Sequence, residues 1–386
     1  MKQLLLRPFL LGGAALALLA GPALAQLALS GNDNKAVLEN GTVRIVANPP
    51  ADTVTILDLG ATPPRIMATV QAPHSVVGPP TSVAITPDER LGLVASAQRI
   101  DPANPTRTIA DNRLSVIDLR ATPPVVVQTL EAGAGASGVS VNRAGTLALV
   151  ANRNAGSVSV FRIAEGRLAP VSTLTVAPPA SGTSHVQFTP DGRFALVTRD
   201  GDFFVSVLRV EGENVTLAGR DITVGMRPYG LGITPDGRWA AVANIGRSSG
   251  DADTVSLISL SAEPFRAVDT ISVGPTPEGI QVSPDNRHVA VTVMNGSNRA
   301  ANHPMRGPGL LVMLRIEEGR LVRVAQAEIG SWGQGVVFNR DGSRVFVQNM
   351  VEREIQGFSF DGQRLTALPG RVAVDGGPSA FRTAER

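Results

Sequence analysis

The sequence predicts an all-β fold built from one repeated hairpin. Residues 227–245 read RPYGLGITPDGRWAAVANI, in which two apolar strands flank the turn residues Pro235-Asp236-Gly237. This pattern returns along the chain at steps of 45 to 56 residues, which is the spacing of four-stranded propeller blades. No stretch of residues 26–386 shows the periodicity of a competing helix. We therefore predict a β-propeller with four-stranded antiparallel blades.

Six further segments align with this hairpin. They are residues 41–48 (second strand only), 81–96, 137–152, 184–199, 278–293 and 334–349. The residues between hairpins supply the outer strands, for example TVSLISL at 254–260 and FRAVDTISV at 265–273. Residues 377–382 (GPSAFR) form a first strand with no hairpin partner after it. Paired with residues 41–48, this C-terminal strand completes the N-terminal blade, so that seven blades close in a ring without free edges.

The repeat PYGLGITPDGRWAAVAN resembles that of the YVTN-repeat family of seven-bladed β-propellers and, more loosely, that of the lactonase-type propellers. The similarity extends over residues 36–382 and recurs in register, so it is specific for the architecture. The YVTN resemblance implies a binding or interaction protein without catalysis of its own. The lactonase resemblance implies the alternative, a hydrolase that acts on a lactone in the central channel.

Residues 1–25 have the features of a secretory signal peptide. Lys2 and Arg7 give a basic start, residues 9–20 form an apolar run, and Ala23-Leu24-Ala25 is a cleavage site. The run is shorter than the ~20 residues that a spanning helix needs. We therefore expect a periplasmic or secreted protein with a single domain over residues 26–386 and no membrane span after cleavage.

Composition excludes several classes of function. The chain contains no Cys, which excludes thiolate catalysis, cysteine metal sites and haem-attachment motifs. It has 35 Lys and Arg against 33 Asp and Glu, and the signal segment holds two of the basic residues, so 33 of each remain. Net charge therefore gives no reason to expect general nucleic-acid binding. No motif points to a cofactor, and the four histidines have no metal-ligand spacing.

The first strand of a propeller blade lines the central channel. The loops that lead into it open on one side, here named the loop face, and the Pro-Asp-Gly turns lie on the other, the turn face. Aligning the repeats predicts a polar ring at the loop-face mouth of the channel, which fits a water-filled channel as well as a ligand site. The ring consists of Thr81, Ser137, Ser184, Tyr229, Glu278, Gln334 and Ser379.

The ends of the second strands predict a further ring. Its members are Asn48, Ser96, Asn152, Arg199, Asn244, Val293 and Asn349. We expect the asparagines to satisfy backbone groups where the strand turns away. Arg199 breaks the pattern. Arg199 is therefore a candidate to bind a carboxylate or phosphate group, together with Arg153 and with Arg382 on the last channel strand.

For the lactonase alternative, the candidate catalytic residues are His185, Arg199 and Glu278. Histidine or glutamate would act as the base, and arginine would stabilise the oxyanion. The resemblance implies a histidine six residues before the Pro-Asp turn, where this sequence has Ser184, with His185 one step later. A bulge would be needed to turn His185 towards the site. No G-x-S-x-G, HExxH or P-loop motif is present.

Three long connections follow second strands and should rise from the loop face: residues 97–113, 246–253 and 294–309. Long connections in a compact domain are often functional. We therefore predict that they contact a protein partner or a small-molecule ligand, with plain surface decoration as the alternative. His74 and His303 fall in segments of the same face, as does His185, whereas His288 aligns with Trp239 on a blade.

Overall fold

The computed structural model describes residues 26–385, so the predicted signal peptide lies outside the described residues. Blades one and two, with their insertions, contain β1 (Leu27–Asp33), β2 (Ala36–Glu39), β3 (Thr42–Ile45), β4 (Thr53–Asp58), β5 (Arg65–Gln71), β6 (Val83–Ile85), β7 (Leu91–Ala95), β8 (Gln98–Asp101), β9 (Asn104–Ala110), β10 (Arg113–Asp118) and β11 (Val125–Glu131). Blades three and four contain β12 (Ala136–Val141), β13 (Leu147–Asn152), β14 (Ser157–Ala164), β15 (Arg167–Thr175), β16 (Thr183–Phe188), β17 (Phe194–Arg199), β18 (Phe204–Glu211) and β19 (Asn214–Thr223).

The remaining strands complete the ring. Blades five to seven contain β20 (Pro228–Ile233), β21 (Trp239–Asn244), β22 (Asp253–Ser259), β23 (Arg266–Gly274), β24 (Pro277–Val282), β25 (His288–Val293), β26 (Gly309–Glu317), β27 (Arg320–Ile329), β28 (Gly333–Phe338), β29 (Arg344–Asn349), β30 (Glu354–Phe360) and β31 (Leu365–Ala373). The last strand, β32 (Gly377–Thr383), belongs to blade one. A short 3₁₀ turn, Pro179–Ser181, precedes β16.

The strands form seven four-stranded antiparallel sheets, which confirms the predicted fold class. Blade one has the order β32-β1-β4-β5, so the C-terminal strand closes the ring against the N-terminal one, as predicted. Two small hairpins, β2–β3 and β8–β9, stand outside the blades. Within residues 26–385, no helix has the length and apolar character needed to cross a membrane.

The hydrophobic core lies between neighbouring blades. Between blades two and three, for example, Leu93 and Leu114 share one buried cluster with Val139 and Phe161. The inner strands approach so closely that a Cβ added at Gly138 would lie 2.7 Å from the Cα of His185. Glycine at this position therefore lets two channel strands pack side by side.

The repeated turn is held by its own side chains. In the hairpin of residues 227–245, the Thr234 hydroxyl donates to the Asp236 carboxylate at 2.6 Å. The backbone N–H of Arg238 donates to the same carboxylate at 3.0 Å. Gly237 follows with φ of 73°, a left-handed conformation that glycine adopts without strain. The Pro-Asp-Gly signature thus fixes the turn that the sequence predicted.

The prediction for residues 41–48 is wrong. Residues Thr42–Ile45 form β3 in an inserted hairpin with exposed side chains, and the second strand of blade one is β1 instead. The sequence LALSGND of β1 contains small and polar residues that are weak strand formers. It becomes a strand because β32 and β4 pair with it on both sides. Asn48 therefore does not belong to the second ring, and Asn32 takes its place.

The insertions meet on the loop face. Residues 97–113 form the β8–β9 hairpin, where the sequence indicated an irregular loop. The β2–β3 hairpin approaches the blade-six connection so closely that a Cβ at Gly41 would lie 2.5 Å from the Ala300 nitrogen. Ala36 in this hairpin packs in one buried cluster with Met294, Trp332 and Met350 of blades six and seven. The hairpin therefore covers part of the loop face.

Candidate functional site

The predicted polar ring is buried. Its members have exposed fractions of 8% or less, so the ring is not the wall of a wide open channel. The hydroxyls of Thr81 and Ser137 have no hydrogen-bond partner within the described part of the chain. Ser184 instead donates a hydrogen bond to Asp200, Gln334 donates one to Glu278, and the charges of Arg153 and Glu278 both act on Tyr229 between them. The two sides of the ring thus differ, and the second side is the candidate site.

Arg153 organises this side of the ring. Its guanidinium donates to the Ser184 hydroxyl at 2.6 Å and to the Asp200 carboxylate at 2.5 Å, and it lies 5.9 Å from the centre of the Tyr229 ring. Ser184 donates to the other Asp200 oxygen at 3.1 Å. Arg227 adds a second guanidinium 3.7 Å from Asp200. Two guanidinium groups therefore face one buried carboxylate.

Glu278 supplies an acidic group beside these arginines. Burial raises the pKa of its carboxyl to about 8, an effect that the Gln334 hydrogen bond and the charge of Arg227 offset only in part. Burial also raises the pKa of the Tyr229 phenol, so that this group stays neutral. A carboxyl with a pKa near 8 exchanges protons close to physiological pH. We name Arg153, Ser184, Asp200, Arg227, Tyr229, Glu278 and Gln334 the loop-face cluster.

A cavity on the loop face borders one edge of the cluster. It has a volume of about 430 Å³ and is lined by Asp200, Gly201, Phe203, Met226, Arg227 and Arg247. Phe203 and Met226 expose 38% and 41% of their surface and provide apolar walls. Asp200 and Arg227 belong to both the cavity lining and the cluster, whereas Ser184, Glu278 and Gln334 are not part of the cavity lining.

The structure does not bring the predicted catalytic trio together. Arg199 is taken up by blade four, where it pairs with Asp202 and Asp221 and lies 5.2 Å from the Phe204 ring centre. Among residues 26–385, no hydrogen bond or ion pair joins it to His185 or Glu278. Arg153 and Arg227 instead contact Asp200 beside the ring members Ser184 and Tyr229.

His185 lies deeper in the channel. The strand irregularity that the sequence required for it is present, since the register between β16 and β17 shifts between Thr183 and His185. The Leu231 backbone N–H donates to its Nδ1 at 3.0 Å, and its Nε2 lies 3.2 Å from the Arg382 guanidinium. Burial, with the positive charge of Arg382 second, lowers the pKa of His185 well below its usual value. His185 is therefore a neutral channel residue.

In the second ring, Asn152 and Asn349 satisfy backbone groups, as predicted, whereas Asn244 does not. Asn152 accepts a hydrogen bond from the Gly133 N–H at 2.9 Å, and Asn349 accepts one from the Gly330 N–H at 2.9 Å. Asn244 donates to the hydroxyls of Thr254 and Ser256, both at 3.0 Å. Asn152 and Asn349 thus hold the loops that lead into the first strands, whereas the Asn244 amide oxygen has no partner within the described residues.

His74 is wholly buried at the junction of blades one and two, where its Nε2 lies 3.0 Å from the Ser379 hydroxyl. Burial lowers its pKa to about 4. A histidine whose folded pKa lies below the unfolded value of about 6.5 stabilises the fold above that pH and loses this contribution as pH falls towards 4. As pH falls from about 6.5 to 4, the free energy of unfolding of His74→Gln should decrease less steeply than that of the wild type. Urea denaturation at several pH values measures both slopes.

The matched control is His303→Gln, because His303 lies in the blade-six connection and its Nε2 contacts Arg299 at 3.0 Å. This variant should keep the wild-type slope. Identical slopes for both variants would contradict the role of His74. Within the part of the chain that the structure describes, no group of three or more His, Cys, Asp or Glu residues is placed to hold a metal ion.

Fold and cluster together define a seven-bladed propeller with an arginine and carboxylate site on its loop face. Residues 123–273 match the sequence model of a family described as lactonase, 7-bladed β-propeller. The matched stretch includes Arg153, Asp200 and Arg227, whereas Glu278 lies just beyond it. A sequence search of the curated proteins finds no match. The resemblance to YVTN-repeat proteins stays a prediction.

Solved structures with the same fold include proteins named as lactonases. A putative 6-phosphogluconolactonase from Bacteroides uniformis is 17% identical, with 93% of this chain and 99% of that chain covered and a TM-score of 0.71. The periplasmic gluconolactonase of Pseudomonas aeruginosa is 19% identical, with coverage of 93% and 99% and a TM-score of 0.67. A putative 6-phosphogluconolactonase from Bacteroides fragilis is 15% identical, with coverage of 94% and 99% and a TM-score of 0.71. At these identities the similarity establishes the shared fold.

Sequence alignment of the repeats did not single out Asp200 and Arg227, although both belong to the cluster. Asp200 directly follows the ring position of Arg199, and Arg227 precedes Tyr229 by two residues in the reference repeat itself. Searching for charged residues within two positions of each ring member would have found both. The predicted members Ser184, Tyr229, Glu278 and Gln334 do meet on one side of the channel mouth.

Proposed function

We propose that the protein is an exported lactone hydrolase and that the loop-face cluster is its active site. The observation that carries the proposal is the placement of the buried Glu278 carboxyl, which Gln334 contacts, within electrostatic reach of Arg227, a residue that lines the loop-face cavity. Burial also raises the pKa of this carboxyl to about 8. The match of residues 123–273 to the lactonase family and the similar folds of the named gluconolactonases support it. Export rests on residues 1–25 and is compatible with the periplasmic location of one of these proteins.

The reaction needs a base and a group that stabilises negative charge. In our proposal the ionised Glu278 carboxylate takes a proton from water while the water oxygen bonds to the lactone carbonyl carbon. Arg227 and Arg153 stabilise the oxyanion that forms. The ring C–O bond then breaks, and the proton on Glu278 passes to the leaving alkoxide. The product is the open hydroxy acid, and Glu278 returns to its ionised form.

The long connections have a place in this proposal. Arg247, in the connection 246–253, lines the cavity, and Arg299 of the connection 294–309 donates to the Ser248 carbonyl at 3.2 Å. We propose that these connections form one wall of the substrate cavity. Binding of a protein partner by the connections 97–113, 246–253 and 294–309, which the sequence favoured, is the second candidate. It is supported by the exposed residues of the β8–β9 hairpin.

The test is turnover of a panel of aldonolactones by the purified protein, corrected for spontaneous hydrolysis with heat-denatured protein. We expect the enzymatic rate to rise with pH towards a plateau above about 8, because the base is ionised only there. Absence of turnover with the whole panel would contradict the proposal. Capture of a periplasmic protein by the inactive protein would then favour the interaction function.

Arg227→Met is expected to lower kcat/KM for a turned-over lactone by about 100-fold, the typical effect of removing one group that stabilises an oxyanion. The matched control is Arg220→Met, since Arg220 is exposed on β19, away from the cluster. Steady-state kinetics of both variants at one pH separate the effects. Equal rates for the two variants would remove Arg227 from the mechanism.

A further inference from the structure

The channel has a second polar site at its other end. On the turn face lies a cavity of about 160 Å³. Its charged lining residues are Glu89, Arg143, Arg340 and Glu385, and its side-chain amides include Gln26, Gln187 and Gln281. After β32, residues 384 and 385 continue into this mouth, so the chain itself partly fills it.

Arg382 forms the floor between the two ends of the channel. It is 4% exposed, and its guanidinium donates to the side-chain oxygen of Gln281 and contacts His185 Nε2 at 3.2 Å and the Leu231 carbonyl at 3.5 Å. Among residues 26–385 no carboxylate lies within ion-pair distance of it. The direct hydrogen-bond partners of this buried cation are all neutral, and the Glu385 carboxylate acts on it from beyond ion-pair distance. An anion close to Arg382 reduces the cost of burying its charge.

His185 is a poor hydrogen-bond acceptor for the Arg382 guanidinium. A neutral imidazole has one nitrogen that can accept a hydrogen bond. The Leu231 N–H lies 3.0 Å from Nδ1 and the Arg382 guanidinium 3.2 Å from Nε2, so two donors compete for a single acceptor. Arg382 therefore keeps capacity to interact with a further acceptor in the channel.

The side-chain amide of Gln187 offers one hydrogen-bond donor and one acceptor at this end of the channel. Its Nε2 donates to the Glu385 carboxylate at 3.0 Å, while its own side-chain oxygen is buried and has no partner within the described residues. Gln187 itself is only 5% exposed. The site therefore presents one donor that already holds a carboxylate and one acceptor that is still open for a hydroxyl group.

We propose that the turn-face end of the channel binds a small α-hydroxy carboxylate, and that the Glu385 side chain occupies the carboxylate position as a built-in competitor. The ligand carboxylate would accept from Gln187 and lie near Arg382, and its hydroxyl would donate to the open oxygen of Gln187. A cavity of about 150 Å³ accommodates benzene, so the site fits a ligand of about six non-hydrogen atoms.

Two arginines and two carboxylates line the mouth, namely Arg143, Arg340, Glu89 and Glu385. Arg143 donates to the Pro235 carbonyl at 2.8 Å and, with Arg382, favours the ionised form of Glu385, whose pKa burial raises. Arg340 lies 3.9 Å from Glu89, so its charge is partly neutralised. Displacing the Glu385 carboxylate leaves the two arginines of the mouth facing the single carboxylate of Glu89, which favours an anionic ligand in its place.

A tethered group competes at an effective concentration in the millimolar range. Glu385→Ala should therefore bind sodium L-lactate about tenfold more tightly than the wild type, as measured by titration calorimetry. Lactamide, which has the same shape without the charge, should bind neither protein. Gln187→Leu in the Glu385→Ala background should weaken lactate binding about tenfold, because it removes both polar atoms of one side chain.

The proposal is independent of the loop-face cluster, and the controls keep the two apart. Arg227→Met in the Glu385→Ala background should leave the lactate affinity unchanged. Loss of binding in that variant would place lactate at the loop face and overturn the proposal. So would equal binding of lactate and lactamide, or no lactate binding by Glu385→Ala. Circular dichroism of each variant shows that it is folded, and unaltered binding by the folded Gln187→Leu variant would also be contrary evidence.

Discussion

The Glu278→Gln substitution is expected to lower kcat for lactone hydrolysis by about 10² to 10⁴-fold, the usual contribution of a general base. Glutamine keeps the shape of the side chain and can still contact Gln334, but it cannot take a proton from water. KM should change little, because the arginines that hold the substrate are intact. The measurement is a full kinetic profile between pH 6 and pH 9, in which the variant should lose the rise towards about 8 that Glu278 causes in the wild type.

The same variant should not be less stable. The folded pKa of Glu278 lies above its unfolded value, so the folded wild type binds the additional proton and loses stability as pH rises from about 4.5 towards 8. Glu278→Gln removes this loss, on the order of a few kcal/mol above pH 8. Reduced activity with undiminished stability therefore separates a catalytic role from a structural one. Glu131→Gln, at an exposed position on β11, is the control. A fully active Glu278→Gln protein would show that the base is elsewhere.

Much of the fold could be predicted because the information is local. The Pro235-Asp236-Gly237 turn is closed by Thr234 and Asp236 themselves, and the flanking strands alternate in register with it. Blade one could not be predicted in the same way. Its second strand, β1, depends on pairing with β32, which lies about 350 residues away in sequence. Residues 41–48 have the stronger local strand pattern, but they lie in an exposed hairpin.

The same distinction applies to the site. Ring positions follow from the repeat, so Ser184, Glu278 and Gln334 could be placed at the channel mouth from the sequence. Whether a charged side chain at the site is ion-paired or free depends instead on residues outside the aligned strands. Arg199 is neutralised by Asp221, which lies on the outermost strand of its blade. An alignment of the inner strands cannot show a contact with the outermost strand. For this reason the sequence indicated that Arg199 was free to bind an anion.

The Lys35→Met substitution is expected to destabilise the fold by about 3 to 5 kcal/mol, because it leaves buried carboxylates without their counter-ion. Lys35 Nζ lies 2.6 Å from Asp52 and 3.5 Å from Asp33, and it also donates to the His74 carbonyl. Its side chain is only 7% exposed. These contacts tie the base of the β2–β3 insertion to blade one and to the loop that leads into blade two. Chemical denaturation at pH 7 measures the change.

Two controls distinguish this ion pair from ordinary surface charge. Arg44→Met removes the exposed pair with Glu39, whose side chains are 68% and 55% exposed, and should cost less than about 1 kcal/mol. Adding Asp52→Asn to Lys35→Met should recover part of the stability, because it removes one of the unpaired charges. Burial already raises the pKa of Asp52, and Lys35 opposes that rise, so the Lys35→Met deficit should shrink at acidic pH, where Asp52 takes up a proton. Equal losses for Lys35→Met and Arg44→Met would mean that the insertion is anchored by its apolar contacts alone.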